Sequence, residues 1–133
     1  MNLDFKQTTL VKVSDIEVPD RFYNRIMTGI NTVDDFLHEG FLPGSTMTLT
    51  AGAGTGKTTF MVQLLEGLSK NNYNVAYCSG EENIYQLAMN CKRISCTSLK
   101  IANKTDVDEI AELTKECDYV VVDSFQALTT KTK

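Results

Sequence analysis

Residues 51–58 have the composition and spacing of a loop that binds phosphate. The segment reads Ala-Gly-Ala-Gly-Thr-Gly-Lys-Thr, which fits a pattern of Ala or Gly, any four residues, then Gly-Lys and Ser or Thr. The strict form of this pattern begins with glycine, whereas this loop begins with alanine. Glycines let the backbone turn with its N–H groups pointing inward around phosphate oxygens, where larger side chains would block the approach.

The residues of this loop have separate roles in the expected chemistry. Lys57 would reach the β- and γ-phosphates of a nucleotide, and the hydroxyl of Thr58 would ligate Mg²⁺. A helix that begins at the loop would add the positive end of its dipole. The alternative is a glycine-rich turn with an exposed lysine. The residues predicted to contact the nucleotide are Gly52, Ala53, Gly54, Thr55, Gly56, Lys57, Thr58 and Thr59.

Asp123 follows an apolar run, residues 119–122, which is typical of a strand buried on both faces. An aspartate at the carboxyl end of such a strand lies where open α/β sheets bind ligands. We therefore expect Asp123 to hold Mg²⁺ opposite Thr58, through a water molecule. The alternative is that Asp123 forms a turn cap with Ser124.

Glu81 and Glu82 follow another predicted strand, at the same edge of the sheet as the phosphate loop. A carboxylate there can orient and deprotonate the water that attacks the γ-phosphate. Alternatively, both glutamates favour the N-terminus of the next helix through its dipole, and the residues alone leave these two roles open. Gln126, just past Asp123, could sense the γ-phosphate or could be a polar surface residue.

The segments around these residues alternate between predicted strands and predicted helices. Apolar spacing predicts a helix over residues 57–70 and another that carries Ile84, Leu87 and Cys91 on one face. This alternation implies a mostly parallel sheet covered by helices on both faces, so the predicted fold class is α/β. Strands are predicted at residues 46–50, 74–78, 99–102 and 119–122.

Capping patterns predict two shorter helices and help to divide the chain. Thr32 would cap a helix that ends at Gly40, and Thr105 would cap a later one. Residues 1–25 are weakly patterned and are expected to form a lead-in segment. Residues 26–133 are expected to form the nucleotide-binding domain.

The composition is that of one ordinary globular domain. The 133 residues are 42% hydrophobic and 23% charged, with a formal net charge of -4. An acidic chain is a poor binder of nucleic acid by itself, because attraction to phosphates needs a basic surface. The sequence has neither an apolar stretch of about 18 residues nor a secretory signal, so we expect a cytoplasmic protein without membrane contact.

The chain has four cysteines and one histidine, His38. None of the cysteines lies in a Cys-x-x-Cys pair, and His38 is distant from all of them in sequence, so no zinc site is expected. Free cysteines behave as small apolar residues. We therefore expect free and mostly buried thiols at Cys78, Cys91, Cys96 and Cys117.

Four further stretches accompany the phosphate loop. They are Thr-Gly-Ile at 28–30, Gly-Phe-Leu-Pro-Gly at 40–44, Ser-Gly-Glu-Glu at 79–82 and Val-Val-Asp-Ser-Phe-Gln-Ala-Leu at 121–128. Together with the loop, they resemble the RecA-like ATPases, in particular the bacterial RadA (Sms) DNA repair and recombination branch, with the KaiC-like ATPases next. The resemblance covers about residues 22–128.

The resemblance implies an ATPase that uses ATP and Mg²⁺, assembles into a ring or filament, and couples hydrolysis to DNA. Lys57 and Thr58 match the residues that hold the nucleotide and Mg²⁺, with Lys57 also acting in catalysis. Glu81 matches the catalytic glutamate, with Glu82 beside it, and Asp123 matches the aspartate associated with magnesium. Because this segment is acidic, its DNA contacts are expected elsewhere in a longer protein.

The chain also departs from the RadA branch, which has a four-cysteine zinc finger before this region. In the family, the strand after the aspartate-bearing strand inserts between it and the phosphate-loop strand, and this strand is missing here. We therefore expect a RecA-like core without its C-terminal strands and with unpaired backbone. Two other functions stay open: a replicative helicase motor of the DnaB type, and a nucleotide-binding or interaction module without turnover.

Overall fold

Three short parallel strands form the sheet. They are β1 (Val75–Ser79), β2 (Lys100–Asn103) and β3 (Tyr119–Asp123), arranged in the order β2-β1-β3. The computed structural model describes residues 9–131, so residues 1–8 of the predicted lead-in and residues 132–133 lie outside the described part. Parallel strands joined through helices confirm the predicted α/β fold class.

Helices connect the strands at the places that the apolar spacing predicts. The predicted helix over residues 57–70 is confirmed at both ends. Within residues 9–131, no helix has the length and apolar character needed to cross a membrane. The α-helices are α1 (Asn31–Phe36), α2 (Lys57–Lys70), α3 (Ile84–Arg93) and α4 (Val107–Leu113), and short 3-10 turns occur at Val13–Asp15, Asp20–Tyr23 and Phe125–Ala127.

The main core lies between the sheet and the two helices α2 and α3. Tyr77 pairs in register with Ile101 on one side and Val121 on the other, so these three side chains share one face of the sheet. α2 packs against β1, and α3 packs against β2. Burial of this apolar surface is the main stabilising contribution. The buried cluster consists of Val62, Leu65, Leu68, Val75, Tyr77, Leu87, Cys91, Cys96 and Val121.

The opposite face of the sheet is covered less completely. The connections from β1 to β2 and from β2 to β3 run in opposite directions along the sheet, so right-handed crossovers place α4 on the face opposite α3. Ile110 is the buried residue of this seven-residue helix. Val122, on β3, is 36% exposed. The prediction that β3 is buried on both faces is therefore wrong for Val122, because one short helix does not cover that face.

The predicted strand at residues 46–50 is not formed. These residues have no regular structure, and within the described chain none of their backbone groups joins a backbone–backbone hydrogen bond. Among residues 9–131, β3 pairs with β1 alone and forms an edge of the sheet. The prediction is wrong because an alternating pattern forms a strand only where a neighbour accepts its hydrogen bonds. We call residues 46–50 the unpaired segment.

An apolar cavity of about 370 Å³ borders the unpaired segment. Its lining includes Met47 and Leu49 from that segment, Tyr119 at the start of β3, and Phe41 and Leu64. Met47 and Leu49 stay 54% and 42% exposed. The cavity thus adjoins both β3 and the unpaired segment. This agrees with the expectation that the strand between the aspartate-bearing strand and the phosphate-loop strand is missing.

Neither of the two predicted helix caps is formed. α1 has no side-chain cap; instead, the buried carboxylate of Asp34 accepts hydrogen bonds from the backbone N–H and hydroxyl of Thr28, both at 2.8 Å, and from the N–H of Gly29 at 3.0 Å. α4 is capped by Asp106, whose side chain accepts from the N–H of Glu109 at 2.9 Å. The capping roles predicted for Thr32 and Thr105 are therefore wrong.

Gly40 does not end α1, because the helix already stops at Phe36. Its backbone has a φ of 104°, and a Cβ there would approach the carbonyl oxygen of Ile26 too closely. Phe41 and Ile26 exchange backbone hydrogen bonds of 2.8 Å at this point. Gly40 thus allows the chain before the phosphate loop to pair with residue 26.

Candidate functional site

The phosphate loop is an exposed turn that leads into α2. Gly54 and Gly56 adopt left-handed conformations with φ of 75° and 86°, and an added Cβ at either position would meet nothing within 4 Å. The hydroxyl of Thr55 donates to the carbonyl oxygen of Gly52 at 2.7 Å and closes the turn. The glycines are required here by backbone conformation, and the space around them is open to a ligand.

The loop ends on the N-terminus of a fourteen-residue helix. The first N–H groups of a helix lack partners inside it, and Gly56 at the N-cap supplies no side chain to bond them. These donors and the positive end of the helix dipole together favour an anion. Lys57, Thr58 and Thr59 occupy the first turn of α2, and within residues 9–131 Lys57 forms no ion pair.

The carboxyl ends of β1 and β3 meet at one edge of the sheet. Ser79 pairs with Asp123 in register, and the N–H of Gly80 donates to the carbonyl oxygen of Asp123 at 2.8 Å. The hydroxyl of Ser124 donates to the carboxylate of Glu81 at 2.5 Å. The Asp123–Ser124 peptide bond is cis. Parallel pairing therefore brings two of the predicted carboxylates, 42 positions apart in the sequence, to the same edge.

The two adjacent glutamates have different surroundings. Glu81 is exposed and bonds Ser124, whereas Glu82 is half-buried and has one carboxylate oxygen that is buried without a partner among the described residues. The N–H of Glu82 donates to the hydroxyl of Ser79 at 3.0 Å, which fixes the turn after β1. Glu81 is therefore the more exposed of the two glutamates at this edge.

The N-terminus of α3 has its own cap. The side chain of Asn83 accepts a hydrogen bond from the N–H of Gln86 at 2.9 Å, and the first turn of α3 contains no acidic residue. Glu81 and Glu82 both precede this cap. A charge interacts with the helix dipole mainly within the first turn. The dipole of α3 therefore does little to explain two glutamates before its cap.

Sequence reasoning missed Tyr77, which forms a hydrogen bond to one of the predicted carboxylates. Its side chain is 1% exposed, and its hydroxyl donates to Oδ2 of Asp123 at 2.6 Å. Burial is the main cause that raises the pKa of Tyr77 far above its ordinary value, and the hydrogen bond and negative charge of Asp123 raise it further. The nearby hydroxyl of Thr58 acts in the opposite direction. Thr58, in the first turn of α2, and Asp123, at the end of β3, thus both influence the pKa of this phenol.

A signal for Tyr77 exists in the sequence. A tyrosine in a buried strand usually needs a partner for its hydroxyl. Tyr77 lies two residues before the end of β1, and Asp123 ends the neighbouring strand. The alternation of side chains along a strand places both residues on the same face of the sheet once the register is known. The register itself could not be read from the sequence.

The oxygen atoms of Thr58 and Asp123 are suitable ligands for Mg²⁺. Magnesium prefers oxygen ligands and takes few of them from protein, keeping waters and substrate phosphates for the rest. A hydroxyl from Thr58 and a carboxylate from Asp123 are ligands of this kind. Gln126 is exposed in the turn after Asp123, and its role as a γ-phosphate sensor stays a prediction. Residues 9–131 hold no cluster of three His, Cys, Asp or Glu side chains suited to another metal.

The family profile described as "ATPase: KaiC" matches residues 26–131. The chain belongs to this family of ATPases. The match covers the phosphate loop, Glu81, Glu82 and Asp123. It confirms the expected relation to RecA-like ATPases. It also agrees with the parallel sheet and its helices.

This KaiC-family domain is also similar to proteins called "DNA repair protein RadA". It is 34% identical over 127 residues to the protein of Haemophilus influenzae, covering 92% of this chain and 26% of the relative. It is 30% identical over 115 residues to that of Brucella abortus, covering 80% and 25%. It is 31% identical over 108 residues to that of Bacillus subtilis, covering 78% and 24%. The chain therefore spans about a quarter of the length of these relatives.

Proposed function

We propose that this ATPase domain binds Mg·ATP and hydrolyses it, and that it is the nucleotide-binding part of a machine for DNA repair or recombination. The observation that carries the proposal is the hydrogen bond from Tyr77, which packs against Leu65 and Leu68 of α2, to Asp123 at the carboxyl end of β3. We infer that the phosphate loop, which ends on α2, and the carboxylates at the ends of β1 and β3 act on one nucleotide. The similarity to RadA over most of the chain supports the DNA-directed part of the proposal.

Each residue has a defined part in the proposed reaction. The N–H groups at the start of α2 and the ammonium of Lys57 hold the β- and γ-phosphates and offset the charge that develops on the leaving oxygen. Mg²⁺, held by Thr58 and Asp123, would supply electrostatic stabilisation of the phosphate charge. Glu81 accepts a proton from a water molecule while the oxygen of that water bonds to the γ-phosphorus. The bond between the γ-phosphorus and the bridging oxygen breaks, which gives ADP and phosphate.

Phosphate release tests this assignment, with the adjacent glutamate as the control. Glu81→Gln should lower the rate by about 10²- to 10⁴-fold, the usual contribution of a general base, and should leave ATP binding intact. Glu82→Gln should lower it by less than about tenfold, because one oxygen of its carboxylate is buried and the side chain is less exposed than that of Glu81. Equal rates for Glu81→Gln and wild type would contradict the role of Glu81.

The proposed DNA coupling belongs to the longer protein. The net charge of -4 gives this segment little attraction to phosphates. We expect no measurable binding of single-stranded DNA to the 133-residue chain by fluorescence anisotropy at physiological salt. Tight binding that weakens steeply with salt would show that the DNA contacts lie in this segment. Assembly into a ring or filament is likewise proposed for the longer protein.

A nucleotide-binding module without turnover is the second candidate. The unpaired segment favours it, because the chain that leads into the phosphate loop is not held by the sheet. Catalysis of phosphoryl transfer depends on groups fixed around the γ-phosphate. Under this candidate, wild type binds Mg·ATP but releases phosphate no faster than Glu81→Gln.

A further inference from the structure

Tyr77 is buried as deeply as the aliphatic core and still bonds a charged group. Its ring lies in the cluster formed with Leu65, Leu68 and Val121, while its hydroxyl reaches Oδ2 of Asp123 at 2.6 Å. A buried hydroxyl needs a partner, and a hydrogen bond to a carboxylate is stronger than one between neutral groups. The packing around the ring therefore determines where this donor lies.

The hydrogen bond restrains Asp123 from one direction only. It occupies Oδ2 and, among the described residues, Oδ1 accepts no hydrogen bond. A carboxylate at the end of an edge strand otherwise has freedom to rotate about its side-chain bonds. Thr58 lies in the first turn of α2, and Leu65 and Leu68 of the same helix pack in the cluster that contains the phenol ring. The phenol thus relates the position of the carboxylate to that of the helix which begins at the phosphate loop.

We propose that Tyr77 is a positioning residue: its hydroxyl holds Asp123 in the orientation in which this carboxylate and the hydroxyl of Thr58 together accept nucleotide-bound Mg²⁺. The inference rests on the proposed binding of Mg·ATP. Groups that orient a metal ligand by hydrogen bonding commonly change metal affinity by about 10- to 100-fold when removed. Tyr77 touches neither phosphate nor water in this role, so it acts through Asp123.

The test compares two tyrosine-to-phenylalanine changes on the same face of the sheet. Tyr77→Phe removes the hydroxyl and keeps the ring. Tyr119→Phe makes the same change at a half-buried ring that stacks on Phe41 at 4.8 Å between centroids and that forms no side-chain hydrogen bond within residues 9–131. Nucleotide affinity is measured over a series of Mg²⁺ concentrations and in EDTA.

Tyr77→Phe should raise the Mg²⁺ concentration at half-maximal effect by about 10- to 100-fold, while the affinity for nucleotide in EDTA stays within about twofold of wild type. Tyr119→Phe should match wild type in both. An unchanged Mg²⁺ dependence in Tyr77→Phe overturns the inference. Absence of nucleotide binding in wild type is a different result, which overturns the proposed function itself.

A double-mutant cycle separates positioning from general destabilisation. Asp123→Asn should raise the Mg²⁺ concentration at half-maximal effect. Adding Tyr77→Phe to this variant should raise that concentration no further, because the phenol acts only through the carboxylate of Asp123. Independent losses that multiply in the double variant would overturn the inference. The EDTA affinity and the thermal unfolding midpoint of each variant are measured on the same samples.

Wild-type protein provides a readout that does not depend on the folding of a variant. The Cζ resonance of tyrosine in carbon-13 NMR responds to the hydrogen bond of its hydroxyl. Adding Mg²⁺ to the nucleotide-saturated chain should shift the resonance of Tyr77 and leave that of Tyr119 in place. The inference would be overturned if Mg²⁺ tightens nucleotide binding but leaves the Tyr77 resonance unshifted.

Discussion

The strand β3, which ends at Asp123, and the unpaired segment have similar types of residue, but only β3 forms regular structure. Residues 119–122 and residues 46–50 are both rich in residues that favour strands. The first stretch pairs with β1 and ends at Asp123, whereas the second pairs with no strand in the described part of the chain. The difference shows that, in this chain, a hydrogen-bonding neighbour decides whether a suitable stretch becomes a strand.

The same difference divides the candidate site into two halves. The half that contains Tyr77, Asp123 and Glu81 is fixed by strand register and by side-chain hydrogen bonds. The phosphate loop is fixed by α2 on one side only, because the unpaired segment precedes it. We therefore expect the carboxylates to be preorganised and the loop to gain order when nucleotide binds.

Amide hydrogen exchange should show the largest contrast between the two stretches. β1 lies in the centre of the sheet, so its amides should exchange only on extensive unfolding. The unpaired segment should exchange close to the rate of free peptide. We expect rates that differ by at least about a thousandfold, as a stability of several kcal/mol requires. Comparable protection of residues 46–50 and of β1 would contradict the difference in order.

Leucine truncation should show the next largest contrast. Leu65→Ala removes a fully buried side chain from the main core and should lower the free energy of unfolding by about 2–5 kcal/mol. Leu49→Ala makes the same change in the unpaired segment, where the side chain is 42% exposed, and should cost less than about 1 kcal/mol. Urea unfolding measures both, and equal losses would place Leu49 in a formed core.

Cysteine labelling should give the smallest contrast. Burial is the main cause that raises the pKa of Cys78, Cys91 and Cys96, so at neutral pH these thiols have less reactive thiolate than free cysteine. Cys117 is only partly buried and should react first, at least about tenfold faster than Cys78. The rates should rise with pH and converge in denaturant. Equal rates for Cys78 and Cys117 in the folded chain would show that β1 is accessible.

Much of this fold could be predicted from local pattern. The limits of α2 follow from a glycine-rich turn and one apolar face, and the strands of the formed sheet lie within one residue of their predicted positions. All four cysteines are free, and three are buried, as their spacing and apolar character predict. These features depend on neighbours along the sequence, which periodicity and composition record directly.

The remaining errors concern relations across the fold. The bond from Tyr77 to Asp123 joins residues 46 positions apart and depends on strand register. The unpaired segment has a strand pattern, but pattern carries no information about whether a partner strand is present. The predicted caps are wrong because neither helix begins at its predicted start: α1 already includes Thr32, and α4 has Asp106 rather than Thr105 at its N-cap.

Calorimetric titration of the 133-residue chain with Mg·ATP tests the central claim most directly. Lys57→Ala removes the charge at the phosphate loop, and Lys70→Ala removes one at the other end of α2, where Lys70 is exposed and lies 4.0 Å from Glu66. We predict that wild type and Lys70→Ala bind alike and that Lys57→Ala binds at least about tenfold more weakly, the loss expected for a charge-assisted hydrogen bond. Equal affinity of all three chains, or no binding by wild type, would contradict a nucleotide site formed by this loop.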